Sequence, residues 1–129
     1  METYEVTVTI EFTACHHLPF PDGNAEEAHW HTWEASATFR GDRLERTMGV
    51  LIDFIQVKDA LKTIVDEYDS HNLNNHQDFS LQPPSAEIVA RVIARRLAKM
   101  LNAESTLYKL SVTEAPGCVA AYYPQGFQP

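Results

Sequence analysis

Residues 4–14 read YEVTVTIEFTA, and apolar and polar side chains alternate along the whole stretch. A period of two places every apolar side chain on one face of an extended strand, whereas a helix would scatter them around its axis. The stretch therefore predicts a long, half-buried β-strand from Tyr4 to Ala14. This strand leads directly to His16.

The same alternation returns in residues 29–39, which read HWHTWEASATF. This second predicted strand begins with His29 and His31, whose side chains point the same way because they lie two residues apart. A loop is predicted between the two strands from a cluster of breaker residues, Pro19, Pro21, Asp22, Gly23 and Asn24. Antiparallel pairing of the strands would bring His29 and His31 close to His16.

Three imidazoles with one open coordination position are how proteins hold a catalytic zinc ion, whereas a structural zinc site is closed by four protein ligands. His16, His29 and His31 are therefore candidate zinc ligands. A second interpretation stays open from the residues alone, because the chain has six histidines and the His-x-His spacing is common. In that interpretation the three are ordinary surface or packed side chains.

Beyond the second strand, the period of the apolar residues changes from two to between three and four. Residues 54–67 predict a helix that begins after Asp53, and Ser85 precedes a second helix with an apolar stripe and a basic side. Two closing strands are predicted over residues 107–113 and 119–123. The element order is ββααββ, which predicts an α+β fold class.

Composition limits the classes of protein to consider. The chain has 44% hydrophobic and 22% charged residues, as globular domains do, and its length suits a single domain over residues 1–129. A net charge of −8 opposes nucleic-acid binding. We recognise no signal peptide and no run of membrane-spanning length, and we interpret Cys15 and Cys118 as reduced thiols. The sequence thus predicts a cytoplasmic protein with no nucleic-acid or membrane partner.

Glu114 stands at the end of the first closing strand. A carboxylate there is either a solvated end residue or an acceptor for paired N–H donors of a bound ligand. The residues alone favour the solvated end residue.

Several short motifs, in fixed order from residue 12 to about residue 123, resemble the signature of the 6-pyruvoyl-tetrahydropterin synthase and 6-carboxytetrahydropterin synthase family. They are Phe12-x-Ala14-x-His16-x-Leu18, His29-x-His31, Gly49-Val50-Leu51-Ile52-Asp53-Phe54, Asp69 with Leu73-Asn74, Pro84-Ser85-x-Glu87 and Thr113-Glu114. The resemblance implies the tunnelling fold, a four-stranded antiparallel sheet with two helices on one face. It also implies a homo-oligomer, in which trimers close into a β-barrel and usually pair into hexamers.

The resemblance further implies an activity and its cofactor. The family is a group of lyases that act on the side chain of 7,8-dihydroneopterin triphosphate, where zinc polarises the side-chain oxygens and a base moves protons. By resemblance, Zn²⁺ is bound by His16, His29 and His31. Glu114 would hold the pterin, its two oxygens accepting hydrogen bonds from the 2-amino group and a ring N–H.

The chain departs from the family pattern at the base. The family has a cysteine a few residues before the paired histidines, but residues 23–28 read GNAEEA here. Glu26 or Glu27 is the candidate replacement, because a partly desolvated carboxylate near zinc accepts a proton at neutral pH. Family variants with glutamate in this region cleave the side chain by a retro-aldol reaction to leave 6-hydroxymethyl-dihydropterin. The alternative is an ordinary solvated acidic loop.

Two further departures concern Ser70 and Trp30. Serine follows Asp69 where the family has histidine, and His71 comes one position later. In the family, this aspartate and histidine form a pair that tunes the base. Either His71 still reaches the position beside Asp69 that the family histidine occupies, or it is a surface histidine and the catalytic pair is lost. Trp30 replaces the usual glycine between the two ligands, and we expect it to add bulk beside the metal.

Three functions compete on these grounds. The first, which we favour, is a zinc-dependent pterin lyase of the synthase or the aldolase-like type. The second is a non-catalytic pterin- or purine-binding protein that keeps zinc and Glu114 without a base. The third is a structural zinc protein, which a set of three histidines without a fourth protein ligand argues against.

Overall fold

The computed structural model describes residues 2–127 of the chain. Its elements follow the predicted order, with two short 3-10 helices between the α-helices. They are β1 (Tyr4–His16), β2 (His29–Gly41), α1 (Phe54–Val65), the 3-10 helices (Leu73–Asn75 and Gln77–Phe79), α2 (Ala86–Leu101), β3 (Leu107–Ala115) and β4 (Cys118–Tyr122). The predicted α+β class and ββααββ order are confirmed.

The strands form one antiparallel sheet in the order β1-β2-β3-β4. The register of the long β1 and β2 pair runs from Tyr4 opposite Gly41 to His16 opposite His29. β1 continues two residues past its predicted end at Ala14. His16 is therefore part of the ladder, which fixes its backbone more firmly than a loop would.

The two faces of the sheet differ in chemistry. On one face, the apolar side chains of the alternating pattern pack against both helices, and Trp33, Phe39 and Leu110 are fully buried there. The opposite face carries hydroxyl groups that pair across strands, such as Thr7 with Thr38 at 3.0 Å. Both helices therefore cover the apolar face, as the tunnelling fold requires.

Both helices begin where the sequence predicts. The Asp53 carboxylate accepts a hydrogen bond from the Ile55 amide at 2.9 Å, and the Ser85 hydroxyl accepts one from the Ile88 amide at 3.2 Å. Each cap satisfies an amide that would otherwise lack a partner in the first turn.

α1 ends at Val65, two residues before its predicted end, because the chain tightens there. The amides of Glu67 and Tyr68 donate to carbonyls three residues back instead of four, and the turn buries the Tyr68 ring. The next segment contains the two 3-10 helices. Residues 69–75 of this segment lie along the outer edge of β1 beside His16, with the Ser70 amide donating to the Thr13 carbonyl.

Side chains from the sheet and from both helices form one hydrophobic core. The predicted domain of residues 1–129 includes Met1, Gln128 and Pro129, which lie outside the described residues. Within residues 2–127, no helix is both long and apolar enough to span a bilayer.

Candidate metal centre and active site

Three histidines converge at the end of the sheet where β1 ends and β2 begins. Their ring centroids lie 4.6 Å apart for His16 and His29, 4.6 Å for His29 and His31, and 5.6 Å for His16 and His31. The register explains this arrangement, because His16 pairs with His29, and His31 projects to the same face of β2. The predicted strand pairing thus brings the three candidate ligands together.

Hydrogen bonds to backbone carbonyls orient two of the rings. His16 is fully buried, and its Nδ1–H donates to the Pro84 carbonyl at 2.8 Å. His29 Nδ1–H donates to the Glu27 carbonyl at 2.9 Å. Because Nδ1 of each ring donates to a carbonyl, Nε2 is the nitrogen that faces the cluster, as in metal-bound histidines.

The floor of the cluster is apolar. Trp33 is fully buried and meets His16 edge-on, with 4.8 Å between the ring centroids, while its indole N–H donates to the Ala14 carbonyl at 3.1 Å. Burial lowers the pKa of His31, against the opposing effect of the Glu114 carboxylate. His31 is therefore neutral near pH 7, in the form that binds a metal.

Glu114 joins the cluster from β3. Its Oε1 lies 2.7 Å from His16 Nε2 and 3.9 Å from His31 Nε2. With one nitrogen from each of the three histidines it makes a group of four donor atoms, all within 4.8 Å of one another. The 2.7 Å contact lacks hydrogen-bond geometry, and within the described residues His16 Nε2 is buried without a hydrogen-bond partner.

A divalent cation fits this donor set. Within the described residues, His16 Nε2 is buried without a hydrogen-bond partner, and a bound cation would satisfy this nitrogen. Imidazole nitrogen and carboxylate oxygen are both zinc ligands, bound at about 2.0–2.2 Å. The residues present therefore suit a metal ion held by His16, His29 and His31.

The two candidate bases, Glu26 and Glu27, are placed differently. Glu26 Oε1 accepts the Leu18 amide hydrogen at 2.9 Å and lies 4.0 Å from His29 Nε2. The Glu26 amide in turn donates to the Leu18 carbonyl at 3.0 Å, which pins this end of the loop to the end of β1. The Glu27 side chain is exposed, and its backbone carbonyl holds His29. Glu26 is thus the carboxylate at the rim of the metal cluster.

Asp69 and His71, predicted as a catalytic pair, do not meet through their side chains. Asp69 Oδ1 accepts the Thr13 amide hydrogen at 2.8 Å, while His71 Nδ1–H donates to the backbone carbonyl of Asp69 at 2.7 Å. His71 is exposed and lines a cavity of about 130 Å³, none of whose lining residues belongs to the histidine cluster. Asp69 therefore holds the edge of β1 and leaves no carboxylate oxygen bonded to His71.

Asn74 has a role that sequence reasoning missed. Its Oδ1 accepts the His17 amide hydrogen at 2.9 Å and its Nδ2–H donates to the His17 carbonyl at 2.9 Å. The side-chain amide thus pairs with the backbone as another strand would, one residue beyond the end of β1. The available signal was the Leu73-Asn74 motif, which marks the residue but not the backbone group it binds.

The sequence of the chain matches a known protein family over most of its length. The family model for 6-pyruvoyl tetrahydropterin synthase matches residues 5–125. The chain belongs to this family. The match spans every motif that carried the resemblance, so the recognition of the 6-pyruvoyl tetrahydropterin synthase family from those motifs is confirmed.

Two relatives of the chain are named for different reactions, one as a synthase and one as an aldolase. The 6-carboxy-5,6,7,8-tetrahydropterin synthase of Bacillus subtilis (strain 168) is 28% identical over 131 residues, covering 95% of this chain and 87% of the relative. The dihydroneopterin monophosphate aldolase of Pyrococcus furiosus is 33% identical over 89 residues, covering 69% of this chain and 72% of the relative.

Solved structures share the fold. The 6-pyruvoyl tetrahydropterin synthase of Caenorhabditis elegans superposes with a TM-score of 0.84 at 22% identity, covering 95% of this chain and 96% of the other. A catalytic-residue mutant of the Plasmodium vivax 6-pyruvoyltetrahydropterin synthase, with glutamate changed to alanine, gives a TM-score of 0.74 at 18% identity, covering 95% and 98%. These similarities confirm the tunnelling-fold architecture of the single chain.

Trp30, a departure from the family pattern, does not crowd the metal cluster. It lies between His29 and His31 in sequence, but alternate residues of a strand point to opposite faces, and Trp30 is 58% exposed. The expectation that it adds bulk beside the metal is wrong for this reason.

A second polar cluster lies outside the histidine site and was not predicted. Arg96 on α2 donates hydrogen bonds to Glu67 at 2.5 Å and to Asp78 at 2.9 Å. The Tyr68 hydroxyl donates to Asp78 at 2.7 Å. His76 Nε2 is hydrogen-bonded to Glu67 at 2.9 Å. The hydrogen bond from Arg96 lowers the pKa of Glu67 to about 2, and burial raises the pKa of Tyr68. Because Arg96 forms ion pairs with both carboxylates, this is an ion-pair network that connects the 3-10 segment to α2.

Proposed function

We propose that this protein is a zinc-dependent pterin lyase, acting on the side chain of 7,8-dihydroneopterin triphosphate or a related dihydropterin. The observation that carries the proposal is the convergence of His16, His29 and His31 with two carboxylates, Glu26 and Glu114, at its rim. This arrangement supplies a metal site, a candidate base and a candidate ligand anchor within one small region. The family of the chain supports the pterin class of substrate.

Zinc, bound by the three histidines, would polarise the hydroxyl oxygens of the substrate side chain and make the adjacent protons more acidic. The protein's own contribution is to hold the ligands rigidly. The Pro84 and Glu27 carbonyls fix the tautomers of His16 and His29, and Trp33 keeps water from beneath the site.

Glu114 is the proposed pterin anchor. A carboxylate offers two oxygens side by side, which match the adjacent 2-amino and ring N–H donors of a pterin. Its side chain is 27% exposed, so the carboxylate has room to turn toward a bound ring. Such a contact would place the substrate side chain over the histidines.

Glu26 is the proposed general base. Its Oε1 is occupied by the Leu18 amide, so Oε2 is the oxygen that would accept the proton. The described mutant of the Plasmodium vivax relative indicates that glutamate serves as a catalytic residue in that protein, which supports the assignment by analogy. Glu27, which is exposed, and His71 receive no part in this step, and Asp69 is assigned to positioning.

Retro-aldol cleavage is the reaction that this base serves most directly. Glu26 would take the proton of the second side-chain hydroxyl, and the bond between the first and second side-chain carbons would break. The electron pair passes into the ring imine and returns to the first carbon, which takes up a proton. The remainder leaves as an aldehyde, and 6-hydroxymethyl-dihydropterin stays behind. The name of the Pyrococcus furiosus relative supports this outcome.

A non-catalytic pterin- or purine-binding protein is the alternative, favoured by one observation. His71 Nδ1–H donates to the backbone carbonyl of Asp69 and not to its carboxylate, so within this chain the two side chains form no carboxylate–imidazole pair that could tune a base. Product analysis separates the two functions. Zinc-loaded protein is incubated without oxygen with 7,8-dihydroneopterin, its monophosphate and its triphosphate, and the pterins are identified by mass spectrometry. A hydroxymethyl, carboxyl or pyruvoyl product supports the enzyme, while bound but unchanged substrate supports the alternative.

We also propose a cytoplasmic homo-oligomer, a trimer or a hexamer. β1 and β4 are the edge strands of the sheet, and Phe54 and Ile55 leave large apolar side chains 57% and 69% exposed. The two free cysteines suit a reducing compartment. Native mass spectrometry should give three or six times the chain mass of 14.6 kDa, and a single-chain mass would contradict the assembly.

A further inference from the structure

We propose that residues 18–26, between β1 and β2, form a small hairpin that holds the Glu26 carboxylate at the rim of the histidine cluster. These residues read LPFPDGNAE, and we call them the rim hairpin. The inference rests on the proposed function, because it explains how the candidate base is kept in place. Gly23, at the tip of the rim hairpin, is then a positioning residue for Glu26.

The two arms of the rim hairpin pair as antiparallel strands do. The Glu26 amide donates to the Leu18 carbonyl at 3.0 Å. The Phe20 amide donates to the Asn24 carbonyl at 2.6 Å, and Pro19 lies between these pairs in an antiparallel bridge with the other arm. Hydrogen-bonded and non-hydrogen-bonded pairs alternate along such a ladder, so Pro19 occupies a position where its missing N–H removes no bond. The pairing therefore gives the segment a defined shape.

The tip of the rim hairpin is a turn that its sequence favours. The Gly23 amide donates to the Phe20 carbonyl at 3.0 Å, across Pro21 and Asp22. Proline at the second position and glycine at the fourth are typical of a type I turn. Gly23 has a φ of 92°, the left-handed conformation that closes a three-residue hairpin loop and that residues with a Cβ rarely adopt. The shape of the tip thus depends on Gly23.

The pairing of Glu26 with Leu18 also places the carboxylate. In a regular hydrogen-bonded pair, two opposite residues exchange both N–H···O bonds through their backbones. Here the Leu18 amide donates to Oε1 of the Glu26 side chain, at 2.9 Å. This bond ties the carboxylate to the base of the rim hairpin, where Oε1 lies 4.0 Å from His29 Nε2. Opening of the rim hairpin would release the bond and let the side chain leave the rim.

The test replaces Gly23 with valine, whose branched side chain strongly disfavours the left-handed conformation. Gly126→Val, after β4, is the matched control, because Gly126 also has a positive φ. A Cβ at either position meets no atom within 4 Å, so both changes act through the backbone and not through a clash.

We expect Gly23→Val to lower kcat about tenfold, measured with whichever of 7,8-dihydroneopterin and its phosphates wild type converts. KM and zinc content should stay as in wild type. The Leu18 amide should exchange its hydrogen about tenfold faster, because its acceptor is no longer held. Gly23→Asn should restore wild-type values, since asparagine tolerates the left-handed conformation, and Gly126→Val should match wild type throughout.

Wild-type turnover and wild-type Leu18 exchange in Gly23→Val would overturn the inference and leave the proposed function standing. Faster exchange with unchanged turnover, or a raised KM with unchanged kcat, would also overturn it, because the rim hairpin would then not place a base. If wild type converts no dihydropterin, the proposed function fails. In that case, faster Leu18 exchange in Gly23→Val but not in Gly126→Val still supports the hold on the carboxylate.

Discussion

Glu26 and Glu27 are consecutive in the chain, but the fold gives them different surroundings. The Glu26 carboxylate is held by the Leu18 amide at the rim of the histidine cluster, whereas the Glu27 side chain is exposed. A base must be within reach of the proton that it removes. The two side chains have the same chemistry, so their positions make Glu26, and not Glu27, the candidate base.

We expect Glu26→Gln to lower turnover of a dihydroneopterin substrate about 100-fold or more, because the amide cannot accept the proton. Zinc content and pterin affinity should persist, since the new side chain keeps a carbonyl oxygen for the Leu18 amide. Steady-state kinetics with metal analysis provide the measurement, and Glu27→Gln is the control that should behave as wild type. Equal turnover in all three proteins would remove Glu26 from the mechanism.

At the scale of elements, the end of β1 is held by side chains from the segment that follows α1. Asp69 bonds the Thr13 amide, and Asn74 bonds both backbone groups of His17. These contacts flank His16 and replace the neighbouring strand that an edge position lacks. They fix the backbone of a candidate metal ligand.

Asn74→Ala should therefore affect both stability and the metal site. Loss of the two hydrogen bonds is expected to cost about 1–3 kcal/mol in the free energy of unfolding, because the His17 amide and carbonyl are partly buried. Zinc affinity should fall about tenfold, and the His17 amide should exchange its hydrogen faster. Urea unfolding, chelator competition and hydrogen exchange measure these effects. Asn75→Ala, at an exposed neighbouring position, is the control. Identical results for the two variants would contradict the role of Asn74 in holding the His17 backbone.

The sequence predicts elements well where the cause is local. The alternation in residues 4–14 fixes the face of β1 that is buried, and Asp53 and Ser85 cap their helices through amides two and three residues away. Prediction fails where the partner is distant in sequence. Nothing near Asp69 in the sequence indicates that its carboxylate bonds the Thr13 amide, or that His71 bonds the backbone carbonyl of Asp69 and not its carboxylate.

At the scale of the whole molecule, the Arg96 network gives stability a dependence on pH. The hydrogen bond from Arg96 lowers the pKa of Glu67 from 4.5 to about 2 in the folded chain. A carboxyl whose folded pKa is depressed stabilises the fold above its unfolded pKa, and this contribution disappears as pH falls through the folded value. The window of loss is therefore pH 4.5 down to about 2.

Glu67→Gln should lack this part of the pH dependence. We expect the variant to be less stable than wild type at about pH 6 by about 1 kcal/mol, a value discounted for solvent screening of a partly exposed pair. The difference should shrink toward about pH 2.5, and urea unfolding at both pH values measures it. Lys62→Gln removes an exposed ion pair with Asp66 and is the control, with little effect at either pH. A constant difference across this range would contradict the assignment.

Much of the candidate site follows from the sequence, but not its inner arrangement. The spacing of His29 and His31 and the antiparallel pairing of β1 and β2 predict the convergence of three histidines. The sequence alone favoured a solvated end residue for Glu114, because its proximity to His16 depends on the register between β2 and β3. The hydrogen bond between His16 and the Pro84 carbonyl could not be predicted either, because it depends on how α2 packs on the sheet.

The central claim is that a metal ion held by the histidine cluster is required for a reaction on a dihydropterin side chain. The direct test measures product formation from 7,8-dihydroneopterin and its phosphates by wild type and His31→Ala, each stripped with a chelator and then reloaded with Zn²⁺. We expect stripped wild type to be inactive and to recover on reloading, whereas His31→Ala stays inactive and binds zinc more weakly. Turnover that survives both metal removal and the His31→Ala substitution would contradict the account.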